Sequence, residues 1–198
     1  MAGGEGSRLG LGEKSLVLVG DSPMIRCIID AFSAAGHEPV VVLSPRTPMT
    51  RNWCGVQGIT VFQAGGTGYV EDLVEAVEEL GETGPVFTCT ADLPCLTPEL
   101  VVTIEEVYRS AGTPALSVWV PGELFPGGAS TEGYREVVEG VTAYAAGINI
   151  VTGSRITAPQ EETRLLLRSR RLAFHVNTRS DLERVRAAMA RQGRGGPA

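Results

Sequence analysis

Short apolar runs alternate regularly with longer amphipathic segments along this chain of 198 residues. The run at residues 39–43 is almost entirely valine, a composition typical of a strand that is buried on both faces of a parallel sheet. Residues 70–80 instead place their apolar side chains on one helical face and their carboxylates on the other. Strands that alternate with helices predict an α/β protein with three layers around a mostly parallel central sheet.

The same patterns locate the other elements. Further strands are predicted at residues 59–62, 86–89, 115–120, 148–151 and 172–176. Helices are predicted at residues 23–35 with Ser22 as the N-cap, at 97–111 and at 160–168, and a last one opens at a capping box, 180–183. Residues 121–134 are rich in glycine and proline and predict a long loop or lid. Since no repeat or linker divides the chain, we expect one domain over residues 1–190 and a flexible tail over 191–198.

The composition is that of a folded, acidic protein. Hydrophobic residues make up 43% of the chain and charged residues 20%, and a net charge of −6 disfavours nucleic acid and anionic membranes as partners. No apolar run is long enough to span a membrane, so we expect a soluble, cytoplasmic protein without membrane insertion. The cysteines, Cys27, Cys54, Cys89 and Cys95, form no C-x-x-C pair and are expected to be reduced. For Cys89 and Cys95 we favour packing over a nucleophilic role.

The first fourteen residues contain five glycines, and we call this segment the glycine loop. Glycines such as Gly3 and Gly4 let backbone N–H groups approach an anion closely. The cations Arg8 and Lys14 can neutralise phosphate charge. The loop therefore indicates a cradle for a nucleoside triphosphate, and the alternative is a glycine-rich terminus without fixed structure.

A phosphate-binding loop of this kind normally follows a buried strand that holds it in place. This sequence starts at the loop itself. We therefore expect either that the strand is absent or that about four to six apolar residues encoded upstream of Met1 supply it.

Polar residues follow several predicted strands, and this edge is where open parallel sheets bind ligands. A second turn with glycines, containing Gly66 and Thr67, follows the strand at 59–62. Asp92 follows the strand at 86–89 and is held by a Leu-Pro pair. Such a carboxylate suits a hard cation such as Mg²⁺, and otherwise it would cap the turn before the next helix.

Two asparagines and two histidines are further polar residues that could belong to the site. Asn177 either completes the metal site or fixes its own turn, and Asn149, inside an apolar run, needs a ligand or backbone groups as partners. His175 is expected to be a satisfied core residue and His37 to be solvated.

Two larger groups have a structural interpretation beside a functional one. Four arginines are expected at a helix end, where the dipole favours cations, with binding of an acceptor phosphate as the lesser alternative: Arg164, Arg168, Arg170 and Arg171. Three aromatic residues flank the predicted lid and either line an acceptor pocket or pack beneath the lid: Trp119, Phe125 and Tyr134.

The glycine loop, with the pair Glu13-Lys14, resembles the signature of nucleotidyltransferases that have a Rossmann-like, glycosyltransferase-A type fold. Residues 44–48, 68–73 and 146–151 make the chain similar, as far as about Leu182, to the archaeal adenosylcobinamide-phosphate guanylyltransferases. The glycine loop is shared by the whole superfamily, whereas the Gly-Tyr-Val-Glu-Asp-Leu and Ala-Gly-Ile-Asn pieces are more selective. The resemblance implies a three-layer, Rossmann-like nucleotidyltransferase fold whose first strand is missing or truncated in this sequence.

The resemblance also implies roles for individual residues. The GTP phosphates would be held by Gly3, Gly4, Gly6, Ser7 and Arg8, with Lys14 beside them. Gly66 and Thr67 would lie near the guanine and ribose. Mg²⁺ would be bound by Asp92 with Asn177 as a second ligand, and Asn149 would face the acceptor. Catalysis would depend on Arg8, Lys14 and Asp92.

The reaction implied is transfer of GMP from GTP to adenosylcobinamide phosphate, which belongs to cobalamin biosynthesis and releases pyrophosphate. The partners would be GTP and a corrinoid phosphate, with Mg²⁺ as the cofactor, and a homodimer is left open. One alternative is a molybdenum-cofactor guanylyltransferase, which shares the glycine loop and the Asp-x-Pro turn. Another is a non-catalytic GTP-binding module. A nicotinamide oxidoreductase is disfavoured, because the acidic residue that it needs would be Asp30, on a predicted helix with no strand before it.

Overall fold

The computed structural model describes residues 1–4, 6, 9–125 and 134–192, in which strands and helices alternate as the sequence predicts. The helices are α1 (Met24–Ala34), α2 (Pro48–Val56), α3 (Tyr69–Glu79), α4 (Pro98–Ala111) and α5 (Arg179–Gln192). The strands are β1 (Leu18–Val19), β2 (Ser22–Pro23), β3 (Val41–Leu43), β4 (Val61–Gln63), β5 (Pro85–Cys89), β6 (Ala115–Pro121), β7 (Arg135–Val138), β8 (Val141–Thr152) and β9 (Glu162–Leu166). Short 3₁₀ helices lie at Lys14–Leu16, Gly122–Leu124, Gly153–Arg155 and Arg170–Ala173.

The strands form two sheets that matter for the site. β3 and β4 make a parallel pair, and the larger sheet has the order β5–β8–β6–β9, with β7 paired to β8. β6 and β9 are parallel, whereas β8 is antiparallel to β5, β6 and β7. In the described chain β8 therefore runs against the other strands of the larger sheet, which share one direction.

Helices cover both faces of these sheets. On one face, Phe32 of α1 and Ile104 of α4 pack with the buried side chains of β6 and β8 in the main core. On the other face, Ala76 of α3 packs against Val42 of β3. Because strand side chains alternate, the neighbouring Val41 faces α1 instead. The result is the predicted arrangement of three layers.

Met1 and Ala2 lie between β3 and β5 and join the two sheets. The N–H of Ala2 donates to the Val42 carbonyl at 2.8 Å. The Met1 amino group donates to the Cys89 carbonyl at 2.8 Å, and the N–H of Ala91 donates to the Met1 carbonyl at 3.1 Å. The glycine loop therefore begins at the carboxyl ends of both strands.

Two predicted elements are wrong. Residues 160–168 were expected to be helical, but they contain β9, because Leu165 and Leu166 face opposite sides and pack into different cores. Residues 172–176 were expected to be a strand, but residues 172 and 173 belong to a 3₁₀ helix, and the N–H of Val176 donates to the Asp92 carbonyl at 3.1 Å instead of to a neighbouring strand.

Helix ends differ from the predictions in smaller ways. The N-cap of α1 is Pro23 and not Ser22. The capping box of α5 is formed by Thr178 and Asp181, two residues before the predicted one. There the Asp181 carboxylate accepts the N–H of Thr178 at 2.8 Å, and the Thr178 hydroxyl accepts the N–H of Asp181 at 3.2 Å.

The predicted lid and tail are only partly described. β6 extends to Pro121 and is followed by a 3₁₀ helix, while residues 126–133 lie outside the described part. α5 continues to Gln192, so the tail expected from residue 191 begins within a helix, and residues 193–198 also lie outside the description. None of the helices that can be described has the length and apolar character needed to cross a membrane.

Candidate active site

Three side chains from distant parts of the chain meet where Met1 and Ala2 join the sheets. The Lys14 ammonium donates to Asp92 Oδ2 at 2.8 Å and to Asn177 Oδ1 at 2.7 Å. Lys14 ends the glycine loop, Asp92 follows β5, and Asn177 precedes α5. Residues assigned from sequence to phosphate binding and to metal binding thus share one site.

Asp92 is held in its charged form. Its side chain is buried, and Oδ1 accepts a hydrogen bond from the Thr90 hydroxyl at 2.7 Å, with His175 Nδ1 3.7 Å away. Burial alone would raise the pKa of Asp92, but the neighbouring His175 and the Lys14 ammonium outweigh burial and bring that pKa well below its ordinary value. The site therefore presents a carboxylate at neutral pH.

The oxygens of Asp92 and Asn177 fit a hard cation. Both lie within hydrogen-bond distance of one positive charge, the Lys14 ammonium, so they already converge on a single cationic group. The described residues contain no group of three or more His, Cys, Asp or Glu side chains that could hold a metal ion. A Mg²⁺ ion here would therefore complete its coordination with phosphate and water oxygens, which is its usual behaviour in nucleotide sites.

Lys14 is positioned by the glycine loop on one side and by α2 on the other. Gly6 has a φ of +66°, and a Cβ at this position would lie 2.8 Å from the Lys14 Cβ, so the loop folds back onto Lys14 only with glycine here. The Glu13 carboxylate accepts the N–H groups of Met49 and Thr50, at 2.8 and 2.6 Å, at the start of α2. Glu13 was not predicted to have a role of its own.

The selective motif at residues 146–151 acts on Asp92 through Thr90. Gly147 of β8 has a φ of +73°, and a Cβ there would lie 2.5 Å from the Thr90 hydroxyl. The N–H of Thr90 also donates to the Gly147 carbonyl at 2.9 Å. Gly147 thus leaves room for the side chain that holds Asp92. Neither Thr90 nor Gly147 was predicted to have a role of its own, although a glycine inside an apolar strand commonly marks such a close approach.

We expect Gly147→Ala to lower the melting temperature by about 5–10 °C more than the matched change Gly140→Ala. The φ angles at the two sites are similar, +73° and +76°, so the backbone strain of alanine is also similar. A Cβ at Gly140 would meet no atom within 4 Å, whereas a Cβ at Gly147 would collide with Thr90. Thermal unfolding followed by circular dichroism measures the difference, and equal melting temperatures would contradict the packing role of Gly147.

A second loop, formed by Gly65, Gly66 and Thr67, is fastened to α3 by two carboxylates. The N–H groups of Gly66 and Thr67 donate to Asp72 Oδ1 at 2.9 and 3.1 Å. The N–H of Gly65 donates to Glu75 Oε2 at 2.9 Å. Asp72 is buried, so its charge is directed to these backbone donors and shielded from solvent.

Ser44 brings the second loop next to the glycine loop. Its hydroxyl donates to the Gly3 carbonyl at 2.8 Å. A Cβ at Gly3 would lie 3.2 Å from the Ser44 Cβ, and a Cβ at Gly66 would lie 3.1 Å from the same atom. The segments assigned from sequence to the phosphates and to the base are therefore neighbours.

A cleft of about 170 Å³ opens between the glycine loop and Asp92. Its lining comprises Met1, Ala2, Gly4, Lys14, Ser15, Thr90, Ala91 and Asp92. Ser7 and Arg8 lie outside the described residues.

Asn149 is not part of the lining of this cleft. It lies on β8, and its Nδ2 donates to the Thr88 hydroxyl on β5 at 3.4 Å. Among the described residues, the hydrogen-bond partner of the Asn149 side chain is therefore another side chain.

Aromatic residues lie on the far side of Asp92. The Phe125 ring stacks on His175, with centroids 6.2 Å apart and planes at 18°, and it also contacts Tyr144 at 5.4 Å. Trp119 is buried and contacts Tyr134, with ring centroids 5.7 Å apart. Phe125 is therefore next to the site through His175, while Trp119 packs against Tyr134.

Both histidines differ from the expectations. His175 is not fully satisfied, because its Nε2 is buried and forms no hydrogen bond with any residue that the structure describes. His37 is not solvated: its ring packs edge-on against Phe32 and Phe87, with Nε2 3.8 Å from Glu105.

Two of the four arginines form ion pairs in and after β9. Arg164 pairs with Glu136 at 2.7 Å, and Arg168 pairs with Glu123 at 2.9 Å. Because the segment is a strand, the predicted helix end and its dipole are not available to them.

The cysteine thiols nearest the site are poor nucleophiles. Burial raises the pKa of Cys89 to about 12 and that of Cys95 to about 11. Both thiols therefore stay protonated at neutral pH, which favours the packing role expected for them.

Comparison with protein families matches residues 1–194 to the family described as MobA-like NTP transferase domain. Among solved structures, a hypothetical transferase from Thermus thermophilus is 20% identical, with a TM-score of 0.66 over 92% of this chain and 96% of that chain. CMP:2-keto-3-deoxy-manno-octonic acid synthetase complexed with CTP is 14% identical, with a TM-score of 0.67 over 92% and 93% of the two chains. Molybdopterin-guanine dinucleotide biosynthesis protein A from Archaeoglobus fulgidus is 15% identical, with a TM-score of 0.61 over 96% of each chain. No curated protein gives a significant match. These structures confirm the predicted three-layer, Rossmann-like fold.

Proposed function

The chain belongs to the family of MobA-like NTP transferase domains and is a nucleotidyltransferase, and from this premise we propose that it transfers GMP from GTP to adenosylcobinamide phosphate. The products would be adenosylcobinamide-GDP and pyrophosphate, in cobalamin biosynthesis. The observation that carries the proposal is the convergence of Gly4, Lys14 and Asp92 on one cleft. Phosphoryl transfer needs a loop that binds phosphate, a cation and a carboxylate. The cleft brings together these three groups as the glycine loop, the Lys14 ammonium and the buried carboxylate of Asp92.

In the proposed reaction an oxygen of the acceptor phosphate attacks the α-phosphorus of GTP, and the bond from that phosphorus to the pyrophosphate oxygen breaks. The acceptor is already anionic, so no side chain has to remove a proton. Backbone N–H groups of the glycine loop, with Arg8 and Lys14, hold the triphosphate and neutralise the leaving pyrophosphate. Positioning and charge neutralisation supply most of the acceleration, without a covalent enzyme intermediate.

Asp92 and Asn177 are the residues that would hold Mg²⁺. When bound, Mg²⁺ supplies charge neutralisation at the reacting phosphates. In this structure the Lys14 ammonium contacts both oxygens, at 2.8 and 2.7 Å. The Lys14 ammonium thus lies where a cation held by both oxygens would be bound, and its flexible stem allows it to turn toward the phosphates.

The second loop would contact the guanine and ribose through Gly66 and Thr67. Its position beside the glycine loop, on the shared contact with Ser44, supports this assignment. The name of the Archaeoglobus fulgidus protein, which concerns a guanine dinucleotide, supports guanine as the base. Asp72 and Glu75 accept the N–H groups of this loop, and these bonds would keep its backbone at a fixed distance from the base.

We expect Asp72→Ala to raise the KM for GTP about tenfold or more and to narrow the preference for GTP over ATP. The variant removes a charged acceptor of two N–H groups, a loss of roughly 1–3 kcal/mol. Asp72→Asn keeps the accepting oxygen and should retain most of the preference, while Glu78→Ala, on the exposed face of α3, is the matched control. Steady-state kinetics with both nucleotides measure the effect. A lower melting temperature with an unchanged GTP preference would show that Asp72 only fastens the second loop to α3.

The acceptor would lie on the side of Asn149 and Phe125. Phe125 offers a flat apolar surface, stacked on His175 beside Asp92, for the ring system of the acceptor. A molybdenum-cofactor guanylyltransferase would need a similar surface, and the Archaeoglobus fulgidus protein makes it the second candidate.

Two measurements test the proposed function. Calorimetric titration with the four nucleoside triphosphates, with and without Mg²⁺, should give the tightest binding for GTP with Mg²⁺. Pyrophosphate release with each acceptor offered separately should occur with adenosylcobinamide phosphate. Release only with molybdopterin would establish the second candidate. Tight GTP binding without release from any acceptor would establish a non-catalytic module.

A further inference from the structure

Arg179, the first residue of α5, holds the glycine loop at a point outside the cleft. Its Nε donates to the Leu9 carbonyl at 3.1 Å, across 170 positions of the sequence. The next residue, Gly10, has a φ of +62°, and a Cβ there would lie 3.5 Å from Arg179 Nη2. The guanidinium therefore lies directly against the backbone of the glycine loop.

The side chain of Leu9 fastens the same part of the loop to α5. Leu9 is only 1% exposed and belongs to a core cluster with Leu182 and Val185 of α5. The apolar contact fixes where this part of the loop lies, and the hydrogen bond from Arg179 to the Leu9 carbonyl fixes how the peptide plane is oriented. Both contacts act on the loop from the same helix.

The turn that carries Arg179 also carries Asn177. The Asp181 carboxylate accepts the N–H groups of Asn177 and Thr178, at 3.2 and 2.8 Å, and the Thr178 hydroxyl at 2.8 Å. Asn177 contacts the Lys14 ammonium at 2.7 Å, and Arg179 contacts the glycine loop two residues later. One hydrogen-bonded turn therefore positions the Arg179 guanidinium relative to the site at Asp92.

The terminal nitrogens of Arg179 are free to bind a ligand. Nε is used by the Leu9 carbonyl, but among the residues that the structure describes nothing accepts a hydrogen bond from Nη1 or Nη2. Other exposed arginines of the chain are paired with carboxylates, namely Arg26, Arg109, Arg164 and Arg168. A planar fork without an acidic partner is suited to the oxygens of a phosphate.

The proposed function indicates which phosphates this fork would meet. Gly10 and Arg179 are not part of the lining of the cleft at Asp92, so they lie beyond it. With its base at the second loop and its α-phosphorus beside the Mg²⁺ ligands, a nucleoside triphosphate would extend out of the cleft through its β- and γ-phosphates. These phosphates leave as pyrophosphate, so a cation at that end stabilises the charge that the leaving group gains.

We propose that Arg179 is a phosphate-binding residue of the nucleotidyl transfer. Its Nε fastens the glycine loop at Leu9, while its terminal N–H groups bind the β- and γ-phosphates that leave as pyrophosphate. Arg179 thus adds a cation from α5 to those that Arg8 and Lys14 supply from the glycine loop. This role rests on the proposed reaction, but it does not depend on which base or acceptor the site takes.

Two variants of Arg179 separate the contact to the loop from the charge. Arg179→Gln can place an amide N–H where Nε lies, so it keeps a donor for the Leu9 carbonyl but lacks the charge and the fork. Arg179→Ala lacks both. The matched control is Arg186→Gln, because Arg186 of the same helix also donates to a backbone carbonyl, that of Leu18, at 2.8 Å.

We expect Arg179→Gln to weaken the binding of GTP with Mg²⁺, and of inorganic pyrophosphate, about tenfold or more. Its affinity for GMP, which lacks the outer phosphates, should stay within about twofold of that of the original chain. Arg179→Ala should also lower the melting temperature by about 2–4 °C, and Arg179→Gln should retain most of that stability. Arg186→Gln should leave all three affinities unchanged. Calorimetric titration and thermal unfolding measure these quantities.

The outcomes separate this role from the proposed function. An unchanged affinity of Arg179→Gln for GTP and pyrophosphate would overturn the role of Arg179 and leave the proposed function intact. An equal loss of affinity for GMP and GTP would show that Arg179 only holds the glycine loop, and it would also overturn the role at the outer phosphates. An original chain that binds neither GTP nor pyrophosphate would overturn both proposals together.

Discussion

Asp92→Asn is expected to lower kcat about 100-fold or more and to lower the melting temperature by about 5 °C, because the carboxylate that His175 and Lys14 keep charged also stabilises the fold. The variant keeps the shape of the side chain and the hydrogen bond from Thr90, but it removes the charge that attracts both Lys14 and a divalent cation. A loss of roughly 3 kcal/mol of transition-state stabilisation corresponds to a rate change of this size. Pyrophosphate release at saturating nucleotide and acceptor measures it.

The matched control for this change is Asp30→Asn. Asp30 is exposed on α1 and forms an i,i+4 ion pair with Arg26, a kind of surface pair that contributes little, so neither activity nor stability should change measurably. Turnover of the Asp92 variant within fivefold of the original chain would remove the carboxylate from the mechanism. The titration of the variant should also show a weaker dependence of GTP affinity on Mg²⁺.

Lys14→Ala is expected to slow turnover about 100-fold, far more than it weakens folding. The ammonium neutralises phosphate charge in the proposed reaction, and removal of one such group typically costs a factor of this order. The Lys14 side chain is 21% exposed and Asp92 keeps its bond from Thr90, so we expect the melting temperature to fall by only about 2–4 °C. Kinetics and thermal unfolding of the same preparation separate the two effects.

Lys14 also offers a direct spectroscopic measurement, because it is the only lysine among the 17 Lys and Arg residues of the chain. Protein labelled at the lysine side chain should give one ammonium signal, which shifts when GTP and Mg²⁺ are added together. Lys14→Arg should not restore turnover fully, because a planar guanidinium differs in shape from the compact ammonium that contacts Asp92 and Asn177. Near-normal turnover of Lys14→Ala would exclude Lys14 from the mechanism.

The fold could be predicted from the sequence in segments where the apolar side chains recur with a single spacing, that of a helix or that of a strand. α3 and α4 were located almost to the residue, since the apolar stripe of α3 and the Thr97-Pro98 start of α4 are unambiguous. The prediction of a helix over residues 160–168 was wrong, because Glu, Arg and Leu favour helices locally. Pairing of residues 162–166 with the edge of β6 makes this segment a strand instead. The hairpin between β7 and β8 was missed, although Glu139 and Gly140, both with positive φ, form a two-residue turn between valine-rich strands.

The site could be predicted as a set of residues but not as a set of contacts. Gly4 and Lys14 are predicted from the glycine loop and its cations, and Asp92 is predicted because it follows a strand; all three line one cleft. The contacts that position them join residues far apart in the sequence, such as Gly147 of β8 and Thr90, whose hydroxyl holds Asp92. No local pattern announces such a pair, because its distance is fixed only when β5 and β8 are aligned.

Ser44 limits how the nucleotide selectivity of this protein can evolve. The backbone that would bind phosphate and the backbone that would bind the base both rest against its single carbon, at Gly3 and at Gly66. A bulkier residue at this position would spread the two apart at once, whatever the nucleotide. Lineages that adopt another base are therefore expected to vary the rim of the pocket and to keep a hydroxymethyl group, or something smaller, at position 44.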